Sequence, residues 1–241
     1  MPVVQYTVRS ISDLLRVLPR VYGTPRKTVW FRGQENEAWK LLPSLVRPPD
    51  RSNNEMVYVK RFKQHASPFL DQVPSHEWEW LFLMQHYEVP TRLLDWSESA
   101  LVGLWFALAE PKRKADRNKR GAVWCLYPNE LNRISKLDMK PPHDIPCFGD
   151  DEVLNKYLPS RVIGVTTADF NPVAIVAPRH TDTSILHASF STSCTSEGPK
   201  IRRKFASTHL YRSSKKNDLR LKANNWKRIV RRCCRLWGRS S

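Results

Sequence analysis

Apolar residues recur at helical spacing early in the chain: Ile11, Leu14, Leu15 and Leu18 fall on one side, and Ser10 stands ahead of them as a capping residue. This predicts a short amphipathic helix over 10–18. The pattern then changes. Thr28, Val29, Trp30 and Phe31 are β-branched and aromatic, which predicts a strand over 28–34 whose far end carries Arg32 and Gln34. Pro43 disfavours helix in the residue before it, so 41–45 reads as an extended or turn segment. A second helix follows at 54–70. A third, at 75–87, is so rich in large apolar groups (Trp78, Trp80, Leu81, Phe82, Leu83, Met84) that it is expected to be buried on most sides, and Pro90 ends it. After a polar loop at 91–97, residues 98–109 form a fourth helix with Ser97 and Glu98 near its N-terminus; its apolar part, 101–109, reads as a buried helix. Further on come a strand at 122–127, a short helix opened by Pro128, a helix at 150–158 and a strand at 172–177, with loops at 111–120 and 136–149. Trp78, Trp80, Trp96 and Trp105 are expected in the core, because aromatic residues at helical spacing usually pack.

These elements describe an α+β body with a small mixed sheet flanked by helices. Charge divides the 241 residues in two. From Ser191 onward there are 15 Lys and Arg against Glu197 and Asp218, a net of +13, which leaves +4 of the total +17 for the first 190 residues. The expected organisation is a folded body over 1–190 and a basic, poorly structured tail over 191–241. Such a tail, with Trp226 and Trp237 between the cations, would bind polyanions or nucleic acid without sequence preference. The five cysteines are odd in number and form no C-x-x-C pair, so a disulfide framework and a zinc ribbon are not expected and the chain reads as cytoplasmic. Its first residues show no secretory signal, and no apolar run reaches the length of a membrane span.

Chemistry concentrates in Gln85-His86-Tyr87-Glu88-Val89-Pro90-Thr91-Arg92-Leu93-Leu94-Asp95-Trp96-Ser97, a polar run between two apolar helices. Arg32, His86, Arg92 and Asp95 are the candidate catalytic residues. Arg32, Gln34, Gln85, Arg92 and Ser97 are the candidate ligand-binding residues. Two guanidiniums and a helix N-terminus can grip a phosphate or carboxylate, His86 titrates near neutrality, and Asp95 can orient it or hold a ligand hydroxyl. The structural alternative is a buried Arg92–Asp95 ion pair that ties the loop to the Arg32 strand, with His86 donating to a carbonyl. The seven histidines show no H-x-x-x-H pair, so no metal site is expected, and no Gly-rich phosphate loop is present among eight glycines.

The spaced blocks resemble the FRG domain family, named for Phe-Arg-Gly, here Phe31-Arg32-Gly33. Leu42-Pro43-Ser44-Leu45 with Arg47 nearby, the block from Gln85 to Ser97, Phe106-Ala107 and Gly121-Ala122-Val123-Trp124 follow in the family's order, so the resemblance runs over about 28–178. It implies an FRG-type domain of undefined activity, and the Arg, His and Asp constellation adds the expectation that it binds an anionic, nucleotide-like or phosphate-bearing small molecule. Glu88 stands where the family has Gly, which is costly if φ is positive there. Ser97 replaces a Thr and keeps the hydroxyl. Residues 183–190 lack the Gln and Gly of the family's closing segment, and a replaced or frame-shifted end is the expectation. Shape analogy gives the alternative of an NAD-consuming ADP-ribosyltransferase-like enzyme, with Arg32 on the pyrophosphate and Ser97 near the nicotinamide ribose.

Overall fold

The computed structural model describes residues 5–47, 55–109, 119–137, 145–162, 171–177, 188–191 and 206–210. The segment 183–187 and most of the basic region after 191 lie outside the described residues.

A strand, β1 (Gln5–Val8), precedes α1 (Ile11–Tyr22). The helix starts where its cap predicts: Ser10 Oγ accepts from the Asp13 amide at 3.1 Å, covering one of the amides a helix start leaves unpaired. It continues through Pro19 to Tyr22, four residues beyond the expected end. β2 (Trp30–Gln34), α2 (Glu55–Ala66) and α3 (Glu77–His86) follow, with a 3-10 turn at Ser44–Val46. Glu79 caps α3 by accepting from the Ser75 and His76 amides at 2.7 and 3.2 Å. A two-residue strand, β3 (Asp95–Trp96), emerges inside the polar loop, ahead of α4 (Ala100–Leu108). β4 (Gly121–Leu126), α5 (Pro128–Ile134), a 3-10 segment at Glu152–Tyr157, α6 (Pro159–Val162), β5 (Val173–Val176), β6 (Ala188–Ser191) and β7 (Ala206–Leu210) complete the chain.

The fold is α+β. One sheet has the order β1-β7-β4-β2 and is mixed, its β1–β7 pair being parallel and the others antiparallel. The second has the order β3-β6-β5 and is antiparallel. Strand β7 comes from the basic region after residue 190 and sits between β1 and β4, so the first sheet draws on that region. The two sheets join at one edge, where Phe31 and Ser97 exchange backbone bonds of 2.6 and 2.9 Å.

Strand alternation explains the layering. Phe31, Val123 and Cys125 face α1 and α4 in one core, with Leu14, Val21, Leu104 and Ala107. Trp30 and Leu126, on the opposite face, pack with Leu94, Trp96, Leu131 and Ala174 in a second core between the sheets. Val173 and Ile175, neighbours of Ala174 on the other face of β5, enter a third core with Trp78, Leu81 and Met84 of α3. The glycine of Phe31-Arg32-Gly33 has a steric reason. A Cβ on Gly33 would lie 2.0 Å from the Gly103 carbonyl oxygen and 2.4 Å from the Ala107 nitrogen, so only a bare backbone lets α4 lie on the sheet.

Two expectations fail. Trp78, Trp80 and Trp96 are buried, but Trp105 is 63% exposed. Only one side of α4 is covered, so its uniform apolarity does not mark a fully buried helix.

Candidate anion site

On β2 the side chains of Trp30, Arg32 and Gln34 share the face turned away from α4, and Trp124 stands directly opposite Arg32 on β4. Trp124 Nε1 donates to Gln34 Oε1 at 2.6 Å, and Gln34 Nε2 reaches the Lys40 carbonyl at 3.5 Å. Gln34 is thus buried and held at both ends of its amide.

The loop 91–97 is set on this face by a chain of polar contacts. Ser44 and Thr91 are linked reciprocally, the Thr91 amide donating to Ser44 Oγ at 3.1 Å and Ser44 Oγ to the Thr91 carbonyl at 3.4 Å, and the Leu45 amide donates to the same carbonyl at 3.1 Å. The Thr91 hydroxyl donates to Gln85 Oε1, and Gln85 Nε2 donates to Asp95 Oδ2 at 2.8 Å. Arg32 Nη1 then donates to the Asp95 carbonyl oxygen at 2.6 Å. Arg32, Gln85 and Asp95, chosen from sequence, therefore meet in one network. The segment 42–47, the loop and β2 are joined by it.

Arg92 goes elsewhere. Its Nε donates to both Glu55 carboxylate oxygens at 2.8 and 3.0 Å, its Nη2 pairs with Glu55 Oε2, and its Nη1 donates to the Tyr157 carbonyl at 3.2 Å. Both partners are buried. Arg92 does enter a buried ion pair, but with Glu55 on α2 and not with Asp95 as considered from sequence. His86 is exposed at the end of α3, its ring edge-on to Tyr87 at 5.2 Å. Ser97 uses its backbone on Phe31 and its hydroxyl as acceptor for the Ser99 amide at 3.1 Å, at the start of α4.

Glu88 adopts φ 58°. It follows the α3 cap residue Tyr87, with its amide bonded to the Gln85 carbonyl at 3.1 Å and the next amide, Val89, bonded to the Met84 carbonyl at 2.9 Å. That is a Schellman helix end with glutamate in the left-handed position glycine favours. The condition under which this departure from the family pattern is costly is met.

Electrostatically Arg32 stands out. Burial pushes its guanidinium down to about 10, opposed by the Asp95 charge and reinforced by the charge of Arg47, and it stays a cation at neutral pH. Its Nε is buried with no acceptor among the described residues, as are Trp30 Nε1 and Trp96 Nε1. Buried donors without acceptors are rare in folded proteins. All three are donors only, as is Trp78 Nε1 in the third core, which shares that condition. No group of three His, Cys, Asp or Glu suited to a metal occurs among the described residues. Arg47, exposed and bonded through Nε to the Leu42 carbonyl at 2.9 Å, was not selected as a site residue from sequence. Its place five residues after Leu42, in the segment that docks on Thr91, is the signal that could have found it.

The FRG domain model matches residues 27–116, taking in β2, the 42–47 segment, the whole 85–97 block and α4. The chain carries an FRG domain. Each polar contact from Ser44 to Arg32 described above lies inside the matched span, whereas Glu55 is inside it and Tyr157 beyond it. Gly121-Ala122-Val123-Trp124 also lies beyond. No curated protein and no solved structure matches the chain. Among the described residues no helix is long and apolar enough to cross a membrane.

Proposed function

We propose that this FRG domain-containing protein binds a phosphate-bearing, nucleotide-like anion at Arg32, on the β2 face that also carries Trp30 and Gln34. The observation that carries the reading is the Arg32 guanidinium: charged, half-buried, fixed by one bond to a backbone carbonyl, and with a buried Nε that has no acceptor among the described residues. A guanidinium presents planar, two-point donation suited to phosphate. Arg47 adds positive potential beside it. In this reading Gln85 and Asp95 position Arg32, Gln34 shapes the floor through Trp124, and Ser97 lines the junction with α4. Arg92 acts at a distance by holding the loop through Glu55. His86, being exposed, serves the ligand only at the rim.

The odd number of cysteines supports a reducing, cytoplasmic setting. The test is thermal stabilisation of the full chain by pyrophosphate, ADP and NAD, with adenosine as the uncharged control. The expected result is a rise in Tm with the phosphate compounds alone, lost in Arg32→Gln at unchanged near-ultraviolet circular dichroism. Stabilisation that survives in folded Arg32→Gln, or is absent for every anion, rejects the reading. Release of nicotinamide in the NAD arm would mark the ADP-ribosyltransferase-like alternative.

A further inference from the structure

We propose that the outer side of α4 is a self-association surface on which a second copy of this chain seats. The inner side of the helix, Ala100, Gly103, Leu104 and Ala107, lies on the sheet. The outer side carries Leu101, Val102, Trp105, Phe106 and Leu108, exposed by 53, 41, 63, 51 and 40%. Trp105 and Phe106 stand edge to face at 4.8 Å, so the two rings form one ridge. At the areas such side chains carry, this amounts to roughly 500 Å² of contiguous apolar surface, near the top of what an ordinary monomer leaves in water.

Composition selects the occupant. Ala100–Leu108 holds no charged residue. The core of a homodimer interface is likewise poor in charge and rich in aromatic groups, and a standard interface buries about 800 Å² per partner, so this patch fits as its centre. Two stretches of the sequence outside the described residues differ from it in charge: six of the nine residues 110–118 are charged, and 211–241 hold eleven Lys and Arg with Asp218, among apolar residues that include Trp226, Ile229 and Trp237. A second α4 brings the same chargeless surface, and a two-fold axis lets each ridge pack on the other. The site at Arg32 faces the opposite side of the sheet, so association leaves it open.

Light scattering of the full chain on a sizing column should give twice the monomer mass. Trp105→Glu and Leu101→Glu, each at an exposed position, should both give the monomer mass with unchanged near-ultraviolet circular dichroism, the dimer dissociation constant rising at least 100-fold. A wild-type monomer at concentrations up to roughly 100 µM overturns the proposal, as it would if another part of the chain or an unrelated partner covered α4. A dimer that persists in both folded variants overturns it as well.

Discussion

Arg32 reaches Asp95 through the backbone: Nη1 donates to the Asp95 carbonyl oxygen at 2.6 Å, while Asp95 Oδ2 accepts from Gln85 at 2.8 Å. The bond that places the guanidinium therefore does not depend on the carboxylate. The carboxylate acts on Arg32 through its charge, supporting the cation that burial and Arg47 disfavour.

That separation makes Asp95→Asn informative. The backbone bond stays, the amide can still pair with Gln85, and one negative charge beside the anion site is removed. Binding of pyrophosphate, measured by calorimetry, should tighten a few-fold, on the order of 1 kcal/mol or less for a partly solvated charge. Weaker binding in a folded variant would show that Asp95 serves the ligand directly.

Glu88 offers a stability test independent of any ligand. A residue other than glycine in the left-handed region costs about 1 kcal/mol, and at 58° Glu88 carries that cost in a helix end whose other bonds are all made. Lys136, at φ 54° after α5, repeats the arrangement, with the Lys136 amide on the Arg133 carbonyl and Leu137 on Asn132. Glu88→Gly and Lys136→Gly should each raise the urea midpoint by the equivalent of about 0.5–1 kcal/mol, additively. No gain in either variant would mean the left-handed geometry is not populated in solution.

The same helix end shows how much of the molecule was legible beforehand. Its position was readable, since Pro90 forbids continuation, and so was α1 from Ser10 and the spacing of Leu14 and Leu18. Local rules suffice where the partner is a few residues away. The pairing of β1 with β7 joins Gln5 to Ser207, and no local pattern encodes a parallel register across that separation. Glu55 as the partner of Arg92, 37 positions back, was equally hidden, whereas an acid three residues ahead was visible and misleading. Gln85 and Asp95 were found because both lie in one block. Trp105 was misplaced because a residue's apolarity does not say which side of a helix is covered.

The buried Arg92–Glu55 pair should behave as a unit. Removing one partner strands the other charge away from water, so Arg92→Met or Glu55→Leu alone should destabilise by about 3–5 kcal/mol. Replacing both with apolar groups removes the stranded charge, and the double variant should recover most of that loss, leaving a coupling of at least about 2 kcal/mol in a denaturant cycle. Single effects below about 1 kcal/mol would contradict the burial of the pair.

Alkaline pH gives a last test, through Tyr157, whose backbone carbonyl receives Arg92 and whose ring lies in the core beneath α3. Burial pushes its phenol up to about 12 from an ordinary value of 10. In the unfolded chain the proton leaves near pH 10, while the folded state retains it to about 12, so the unfolded form binds fewer protons in that window and stability falls as pH rises. Tyr127, also raised by burial, acts in the same direction. Arg32 acts in the opposite one: its folded value near 10 lies well below the ordinary guanidinium range, so the unfolded chain binds more protons above pH 10. Wild-type stability alone mixes these contributions, but its difference from Tyr157→Phe isolates the phenol. That difference should be constant up to about pH 9 and should shift steadily in favour of the phenylalanine variant between about pH 10 and 12. Urea midpoints that run parallel for the two proteins through pH 11 would place the Tyr157 hydroxyl in contact with water.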